Sequence, residues 1–438
     1  MEIIIKVGQL LLSLSILVII HELGHFVFAR IFKVRVESFY LFFNPGFSLF
    51  KKKIGETTYG IGWLPLGGYV KIAGMIDESM DKEALAQEPK PYEFRSKPAW
   101  QRLLIMIGGV LFNFLLAILI YIMVLFVWGE NYLSTQKMEY GIVPDSTAIS
   151  VGFQPGDKIL SIDYKEVERF NEITATIILD DAKTVQVERD GQQINVEIPD
   201  WLISNIVKSN DILFYPRYPF IIADFIEDSK AKQAGLQKGD VIKKVDTINT
   251  QYADLLPKAL ANYKNQTVPI TVDRNGELLT FDIPINENAQ IGIYADFESA
   301  ISFDHKKYNF VESIPAGVNK GYNTAKDYLK QFKLLFSSKI DASESVGGFI
   351  AIGKIFPSSW NWQSFWQLTA FLSVMLAILN LLPIPALDGG HVMFLLYEVI
   401  TRRKPSEKFM EYAQIAGMTF LLLLVIYANG NDIIKLFK

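Results

Sequence analysis

Long apolar runs along the chain are separated by stretches in which apolar and polar residues alternate. Four of these runs reach the roughly 20 residues that a helix needs to cross a bilayer. The first lacks the basic start and the small-residue cleavage pattern of a signal peptide, so we expect it to be retained as a span. The pattern therefore predicts four transmembrane helices, at about residues 3–29, 103–127, 365–387 and 412–431.

Positive charges predict the orientation of these spans. Basic residues cluster between the first and second spans, and again in the short loop between the third and fourth. Both loops are therefore expected on the cytoplasmic side, which is consistent with four alternating spans. Both chain ends and the long segment after the second span then face the opposite side.

The segment from residue 130 to about 305 has a soluble pattern, with short β-rich runs and turn residues. Residues 144–163 align without gaps on residues 227–246, and each copy predicts a short helix, a Gly-Asp turn and a strand. The repeat resembles bacterial protease-associated PDZ domains, so we expect two α+β PDZ domains at residues 130–206 and 207–305. PDZ domains often bind a peptide as an added strand; the alternative is a spacer or steric gate without peptide affinity.

Residues 306–360 are expected to lie along the membrane surface. Within them, residues 310–345 show helical periodicity with lysines and aromatic residues interleaved. Amphipathic helices of this kind lie in the interface of a bilayer. The pattern therefore predicts a structural helix before the third span.

Composition narrows the chemistry that the chain can perform. It has 438 residues and a formal net charge of −4, so nothing indicates nucleic-acid binding. It has no cysteine, which excludes disulfides and thiolate metal ligands. A tightly bound transition metal would need His, Asp or Glu ligands, and the four histidines are His21, His25, His305 and His391.

Two of these histidines interrupt the first apolar run, in the sequence His21-Glu-Leu-Gly-His25. Residues four apart share one face of a helix, so both imidazoles can reach one metal ion. In zinc hydrolases the glutamate of this motif takes a proton from the attacking water, which makes Glu22 the candidate base. The alternative is a pair of core histidines bonded between helices. An unpartnered Glu22 in lipid would then cost several kcal/mol.

A catalytic zinc site needs a third protein ligand and an open position. The segment from Asn380 to His391 offers Asp388, because two prolines break the third span there and a Gly-Gly pair lets the backbone bend. A helix rises about 1.5 Å per residue. Counted from the cytoplasmic end of the first predicted span, His21 lies about 13 Å below the surface, within reach of Asp388. His391 is the rival third ligand, or else a helix cap or a partner of a ligand.

These two motifs resemble those of the site-2 protease family of intramembrane zinc metalloproteases. The closest similarity is to the bacterial regulator-of-sigma-E protease type, with PDZ domains between the second and third spans, and it covers essentially the whole chain. The resemblance implies a Zn²⁺ ion bound by His21, His25 and Asp388, with Glu22 as the catalytic base. It also implies that Asn380 contacts the substrate or its developing oxyanion.

Residues 58–71 look like the membrane-reentrant β-loop of this family, which we expect at about residues 40–75. Gly60 and Gly62 permit close backbone approach in an alternating strand. The resemblance implies that this strand is an edge that pairs with an unwound substrate helix. The alternative is a hairpin that only plugs the bundle.

Residues 94–113 match the start of the family's second span. Asn113 is a candidate substrate contact by this match. Val110 stands where the family commonly has proline, which leaves the role of Asn113 open. Asn113 and Asn380 could both instead be interhelical hydrogen-bonding residues.

The sequence thus predicts a multi-span α-helical membrane protein with four transmembrane helices, a membrane-reentrant β-loop and two inserted PDZ domains. The membrane halves are residues 1–129 and 361–438. We expect an endopeptidase of the bacterial inner membrane that cuts single-span substrates near the cytoplasmic face, such as a trimmed anti-sigma factor or remnant signal peptides. The expected partners are the lipid bilayer, this substrate, and a peptide or substrate ectodomain at the PDZ pair. The alternatives are a metal transporter, or a PDZ scaffold with a structural metal site.

Overall fold

The computed structural model describes residues 1–65, 67–75, 88–209, 212–335, 337 and 347–437. The chain divides into two compact units, one built from residues 1–129, 307–332 and the C-terminal region, the other mainly from residues 130–306. In the described ranges the α-helices are α1 (Glu2–Ile31), α2 (Ala99–Trp128), α3 (Ser146–Val151), α4 (Ile173–Leu179), α5 (Asp200–Ser209), α6 (Lys230–Gln233), α7 (Leu256–Leu260), α8 (Phe297–Ala300), α9 (Phe310–Leu335), α10 (Phe349–Lys354), α11 (Trp362–Leu381), α12 (Asp388–Thr401) and α13 (Glu407–Leu436). The strands are β1 (Val36–Leu41), β2 (Phe50–Ile54), β3 (Thr57–Ile61), β4 (Tyr69–Ile72), β5 (Glu130–Tyr132), β6 (Ile142–Pro144), β7 (Lys158–Ile162), β8 (Lys165–Glu166), β9 (Thr184–Arg189), β10 (Gln192–Glu197), β11 (Phe214–Pro216), β12 (Ile222–Phe225), β13 (Val241–Val245), β14 (Ile248–Asn249), β15 (Thr267–Arg274), β16 (Glu277–Pro284), β17 (Ile293–Ala295) and β18 (Asp304–Lys306).

Four helices in the described part of the chain are long and apolar enough to cross a membrane: α1, α2, α11 and α13. The third is shorter than the apolar run predicts, because α11 ends at Leu381 and not near residue 387. Pro383 has no N–H to donate and disfavours helical backbone in the residue before it. After a turn the chain forms α12, a helix that the sequence pattern did not predict.

Helices α1 and α2 touch backbone to backbone at a pair of glycines. A Cβ added at Gly24 would lie 2.1 Å from the carbonyl oxygen of Gly108, and one added at Gly108 would lie 2.6 Å from that of Gly24. Any side chain at either position would push the helices apart. Small residues are common at contacts between membrane helices because they allow this close approach. Gly24, the glycine of the His-Glu-Leu-Gly-His motif, therefore sets the distance between α1 and α2.

Buried polar side chains join α1 to α11 and to the chain just before it. Gln9 Nε2 donates to the carbonyl oxygen of Pro357 at 2.9 Å, and Thr369 Oγ1 donates to Ser13 Oγ at 3.0 Å. Interhelical bonds of this kind hold apolar spans together. Leu17, one turn after Ser13, is only 1% exposed and ends this polar row before the histidines.

The segment between α1 and α2 forms a four-stranded sheet in the order β2-β3-β1-β4. Strand β3, which carries Gly60, pairs in parallel with β1 and antiparallel with β2, so it is interior and not the free edge that the sequence predicts. A Cβ at Gly60 would lie 2.2 Å from the Tyr40 ring, and one at Gly62 would lie 2.1 Å from the carbonyl oxygen of Phe43. Both glycines are thus required by packing within the sheet, whose edge strands are β2 and β4. Residue 66 of the expected β-loop lies outside the described residues.

The two copies of the sequence repeat form sheets of matching order, β10-β9-β7-β8 and β16-β15-β13-β14. In the first copy the buried Asp157 carboxylate accepts hydrogen bonds from Arg189 Nε and Nη2 at 2.7 and 2.8 Å. In the second, Asp240 accepts the same two bonds from Arg274 at the same distances. The Gly-Asp turn of the repeat therefore builds one buried Arg–Asp network twice.

The region from residue 130 to residue 306 begins and ends at one place. Strands β5 and β18 pair antiparallel, with Glu130 opposite Lys306. The helix predicted within residues 306–360 follows as α9, where Gly317 lies against Ile122 of α2. Residues 336 and 338–346 of that prediction lie outside the described residues. The large exposed apolar side chains of α9 are Phe310, Val311, Ile314, Val318, Tyr322 and Leu329.

Candidate metal centre and active site

The first unit brings three side chains with metal-binding atoms to one point. His21 and His25 project from α1 and are buried, at 8% and 7% exposure. Asp388 is the first residue of α12. Its Oδ2 lies 3.1 Å from His21 Nε2 and 3.3 Å from His25 Nε2, and the two Nε2 atoms are 3.3 Å apart. The three residues that the sequence selects as ligands therefore meet.

Asp388 reaches the histidines because the chain turns back on itself after α11. Pro383 and Pro385 stop the helix, and backbone hydrogen bonds of 2.7 and 3.0 Å close the turn within residues 382–387. Ala386 in this turn has a φ of +83°, a left-handed conformation that residues with a side chain rarely adopt. Such a conformation costs about 1–3 kcal/mol, so neighbouring groups must hold the turn in place.

The three donor atoms fit a metal ion. Nitrogen and oxygen ligands at about 2.0–2.2 Å from a tetrahedral zinc ion are about 3.3–3.5 Å apart, close to the spacing of 3.1–3.3 Å observed here. Asp388 Oδ2 is buried and has no hydrogen-bond partner, although both imidazoles approach it. His25 Nδ1 lies 2.8 Å from the carbonyl oxygen of Ile105, which can only accept, so the proton is on Nδ1 and Nε2 presents a lone pair.

Asn113 lies directly behind the first ligand. It is fully buried, its Nδ2 lies 3.3 Å from His21 Nδ1, and its Oδ1 has no partner. A rotation of the amide by half a turn gives Oδ1 the Nδ1–H of His21 as its donor and leaves His21 Nε2 to bind a metal. The sequence selected Asn113 as a substrate contact; the structure places it against a ligand.

Asn380 lies on the open side of the same histidine. Its Nδ2 is 3.4 Å from His21 Nε2, and the side chain is partly exposed. The amide therefore sits beside the donor atoms, where a group bound at the metal would meet it. This position suits the substrate or oxyanion contact that the sequence predicts for Asn380.

Gly109 of α2 has no side chain, and the two imidazoles occupy the space that a side chain would fill. A Cβ added there would lie 2.5 Å from His25 Nε2 and 2.6 Å from His21 Cε1. The adjacent Gly108 makes the backbone contact with α1. Of these two neighbouring glycines, Gly108 therefore allows the helices to approach and Gly109 makes room for the two histidines. The Gly-Gly pair in an apolar span is the sequence signal, but it does not reveal which helix the glycines face.

Glu22 is half-buried on α1, next to the start of β4. A Cβ added at Gly68 would lie 2.6 Å from Val18 Cγ1 and 3.3 Å from Glu22 Cγ. The edge strand β4 therefore begins against the helix face that carries the candidate base. The start of this edge strand and the Glu22 side chain therefore lie side by side.

His391 is not part of the donor group, which consists of His21, His25 and Asp388. It lines a separate cavity of about 330 Å³ that also contacts the ion pair of Arg102 with Glu398. His305, outside the first unit, bonds with Asn131. The position of Asp388 thus favours the carboxylate over His391 as the third ligand.

Known proteins are similar to this chain in sequence over nearly its whole length. The profile of peptidase family M50 matches residues 9–424. The Regulator of sigma E protease of Haemophilus influenzae is 29% identical over 98% of this chain and 99% of its own. A Borreliella burgdorferi protein whose name includes "zinc metalloprotease" is 29% identical over 96% of each chain, and Metalloprotease MmpA of Caulobacter vibrioides is 26% identical over 98% and 95%. The chain therefore belongs to peptidase family M50, the site-2 protease family, and is a metalloprotease.

Proposed function

We propose that the protein is an intramembrane zinc endopeptidase that cleaves single-span membrane substrates within the bilayer, near its cytoplasmic face. The observation that carries this proposal is the group of three metal-binding atoms, 3.1–3.3 Å apart, two of them on a helix apolar enough to cross a membrane. Ionisable groups at such a depth are expensive and mark functional sites.

In this proposal His21, His25 and Asp388 bind the zinc ion. Two imidazoles and a carboxylate are a common donor set of catalytic zinc, and relatives named as zinc metalloproteases support the choice of metal. When bound, zinc supplies Lewis acidity to a water molecule and to the scissile carbonyl. Asn113 holds the His21 imidazole in the tautomer that binds metal, in place of the substrate contact expected from the sequence.

Glu22 performs the proton transfers. Its carboxylate takes a proton from the attacking water and delivers it to the leaving nitrogen as the C–N bond breaks. Asn380 Nδ2, 3.4 Å from His21 Nε2, donates a hydrogen bond to the carbonyl oxygen as negative charge develops on it.

The substrate is held as an added strand on β4. A helical substrate must be unwound first, because its carbonyls are already hydrogen-bonded and side chains wrap its backbone. Strand β4 is a sheet edge and begins directly after Gly68, which lies beside Glu22. A peptide paired there by main-chain hydrogen bonds lies next to the base. Gly60 and Gly62 support this edge from inside the sheet.

The inserted repeats act as tandem PDZ domains on the extracytoplasmic side and admit substrates whose outer part has been trimmed. The matching strand order of their sheets, and the Arg–Asp pair that occurs in each of them, support a tandem arrangement. The orientation rests on the basic loops, and it places both chain ends outside a bacterial inner membrane. The name of the Haemophilus influenzae relative supports an anti-sigma factor as substrate.

The test is cleavage of a single-span reporter by the purified full-length protein in lipid. We expect Glu22→Gln to bind zinc like the wild type but to cleave about 10²–10⁴-fold more slowly, the usual contribution of general acid–base catalysis. Glu2→Gln, an exposed change on the same helix, serves as the matched control and should cleave normally. Cleavage by Glu22→Gln at the wild-type rate overturns the proposal.

A transport function finds no support in the described residues. Gln9 and Ser13 each form a hydrogen bond to the α11 region, and this buried polar row stops at Leu17. A conducting path would continue through that point. A scaffold with a structural metal site gives a different result in the same assay, because its wild type binds metal without cleaving the reporter.

A further inference from the structure

Helix α13 packs loosely against the rest of the first unit, yet one of its contacts is the turn that leads to Asp388. Only 6% of its apolar stretch is buried, compared with 39% for that of α2. Its exposed middle includes Phe420, Leu423 and Ile426. Gly417, by contrast, is buried. The reason for this burial is a contact with the 382–387 turn.

Two residues of α13 touch successive residues of that turn. A Cβ added at Gly417 would lie 1.8 Å from the carbonyl oxygen of Pro385 and 2.5 Å from its carbonyl carbon. Gln414, on the same helix face, accepts a hydrogen bond at its Oε1 from the Ala386 N–H at 3.2 Å. Helix α13 therefore both presses on the turn and bonds to it.

The contacted residues lie two and three positions before the ligand. Ala386 has a φ of +83°, and such backbone persists only where the surroundings hold it. Asp388 must keep its Oδ2 at 3.1 and 3.3 Å from the two imidazoles. Metal–ligand distances tolerate only about 0.2 Å of error, so a small shift of the turn is enough to disturb the site.

We propose that Gly417 and Gln414 are positioning residues for the metal ligand Asp388. Helix α13 holds the Pro385–Ala386 peptide in its left-handed turn and thereby fixes the carboxylate opposite the two histidines. Metal affinity then depends on where α13 lies. This inference rests on the metal site of the proposed function, and it adds a control of that site by the fourth span.

The test is Co²⁺ binding to the full-length protein in detergent micelles, followed by affinity and by the visible absorption spectrum, which reports coordination geometry. We expect Gly417→Ala to weaken binding by about 10–100-fold, the usual effect of losing the support of a ligand, and to change the spectrum. Gly430→Ala is the matched control on the same helix, because an added Cβ there meets nothing within 4 Å. Both changes raise helix propensity equally, so a loss in one variant alone reports the contact with Pro385.

A second pair of variants tests the hydrogen bond. Gln414→Leu removes the acceptor and should weaken Co²⁺ binding; Gln414→Glu keeps an acceptor oxygen and should restore much of it. If Gly417→Ala does not fold, the Gln414 pair decides. Wild-type affinity and spectrum in both Gly417→Ala and Gln414→Leu overturn the positioning role alone. A wild-type protein that binds no Co²⁺ overturns the metal site itself, and this inference with it.

Discussion

Replacing Gly109 by alanine should strongly weaken metal binding while the protein stays folded. The added Cβ would lie 2.5 Å from His25 Nε2, one of the three donor atoms. Non-bonded heavy atoms approach to about 3.5 Å, so the imidazole must retreat by about 1 Å. This movement is several times the tolerance of about 0.2 Å in a metal–ligand distance. His25 therefore cannot clear the methyl group and keep its bond to the metal.

The same substitution has an opposite effect on the helix. Alanine in place of glycine stabilises a helix interior by about 1 kcal/mol, which offsets part of the strain from the new methyl group. We expect the melting temperature of the metal-free protein to change by only a few degrees. Zinc affinity should fall at least 100-fold, about 2.8 kcal/mol of binding free energy.

The assay is competition for Zn²⁺ with a chromophoric chelator, run with thermal unfolding of the metal-free protein. Gly8→Ala on α1 is the control, since an added Cβ there meets nothing within 4 Å. Zinc affinity of Gly109→Ala within threefold of the wild type would refute the placement of the two histidines around this glycine.

Three further changes test other parts of the structure. Asn113→Leu removes the partner of the first ligand histidine and should weaken zinc binding by about 10–100-fold, which the same competition assay measures. Asp240→Asn breaks a buried ion pair and should destabilise the second repeat by about 2–4 kcal/mol; hydrogen exchange over residues 227–285 should rise, whereas the exposed Asp282→Asn should leave it unchanged. Ala386→Gly relieves the left-handed backbone strain and should stabilise the metal-free protein by about 0.5–1 kcal/mol, seen as a higher melting temperature.

The sequence predicted the parts of the site that depend on periodicity. His21 and His25 meet because four residues return a helix to the same face. Asp388 joins them because prolines stop α11 and the chain turns before α12 begins at this residue. The four long helices were readable because a bilayer-spanning helix needs a long unbroken apolar run.

Other features depend on which elements lie next to each other, and no local pattern records that. The alternating residues of β3 predict a strand, but not that β1 and β2 cover both of its edges. Gly24 in an apolar helix does not reveal that Gly108 lies opposite. Helix α12 was missed because an apolar segment after two prolines continues the hydrophobic run of α11. Tertiary packing decided each of these.

The pairing of β5 with β18 gives the chain a modular construction. Residues 133–303 lie between these two paired strands, so the chain enters and leaves this region through one short strand pair. Loop-closure entropy grows only with the logarithm of length, about 0.6 kcal/mol for each doubling. A change in the length of this region should therefore have little effect on the folding of the helices that carry His21, His25 and Asp388. The repeat of residues 144–163 at residues 227–246 is the pattern expected from a duplication within this region.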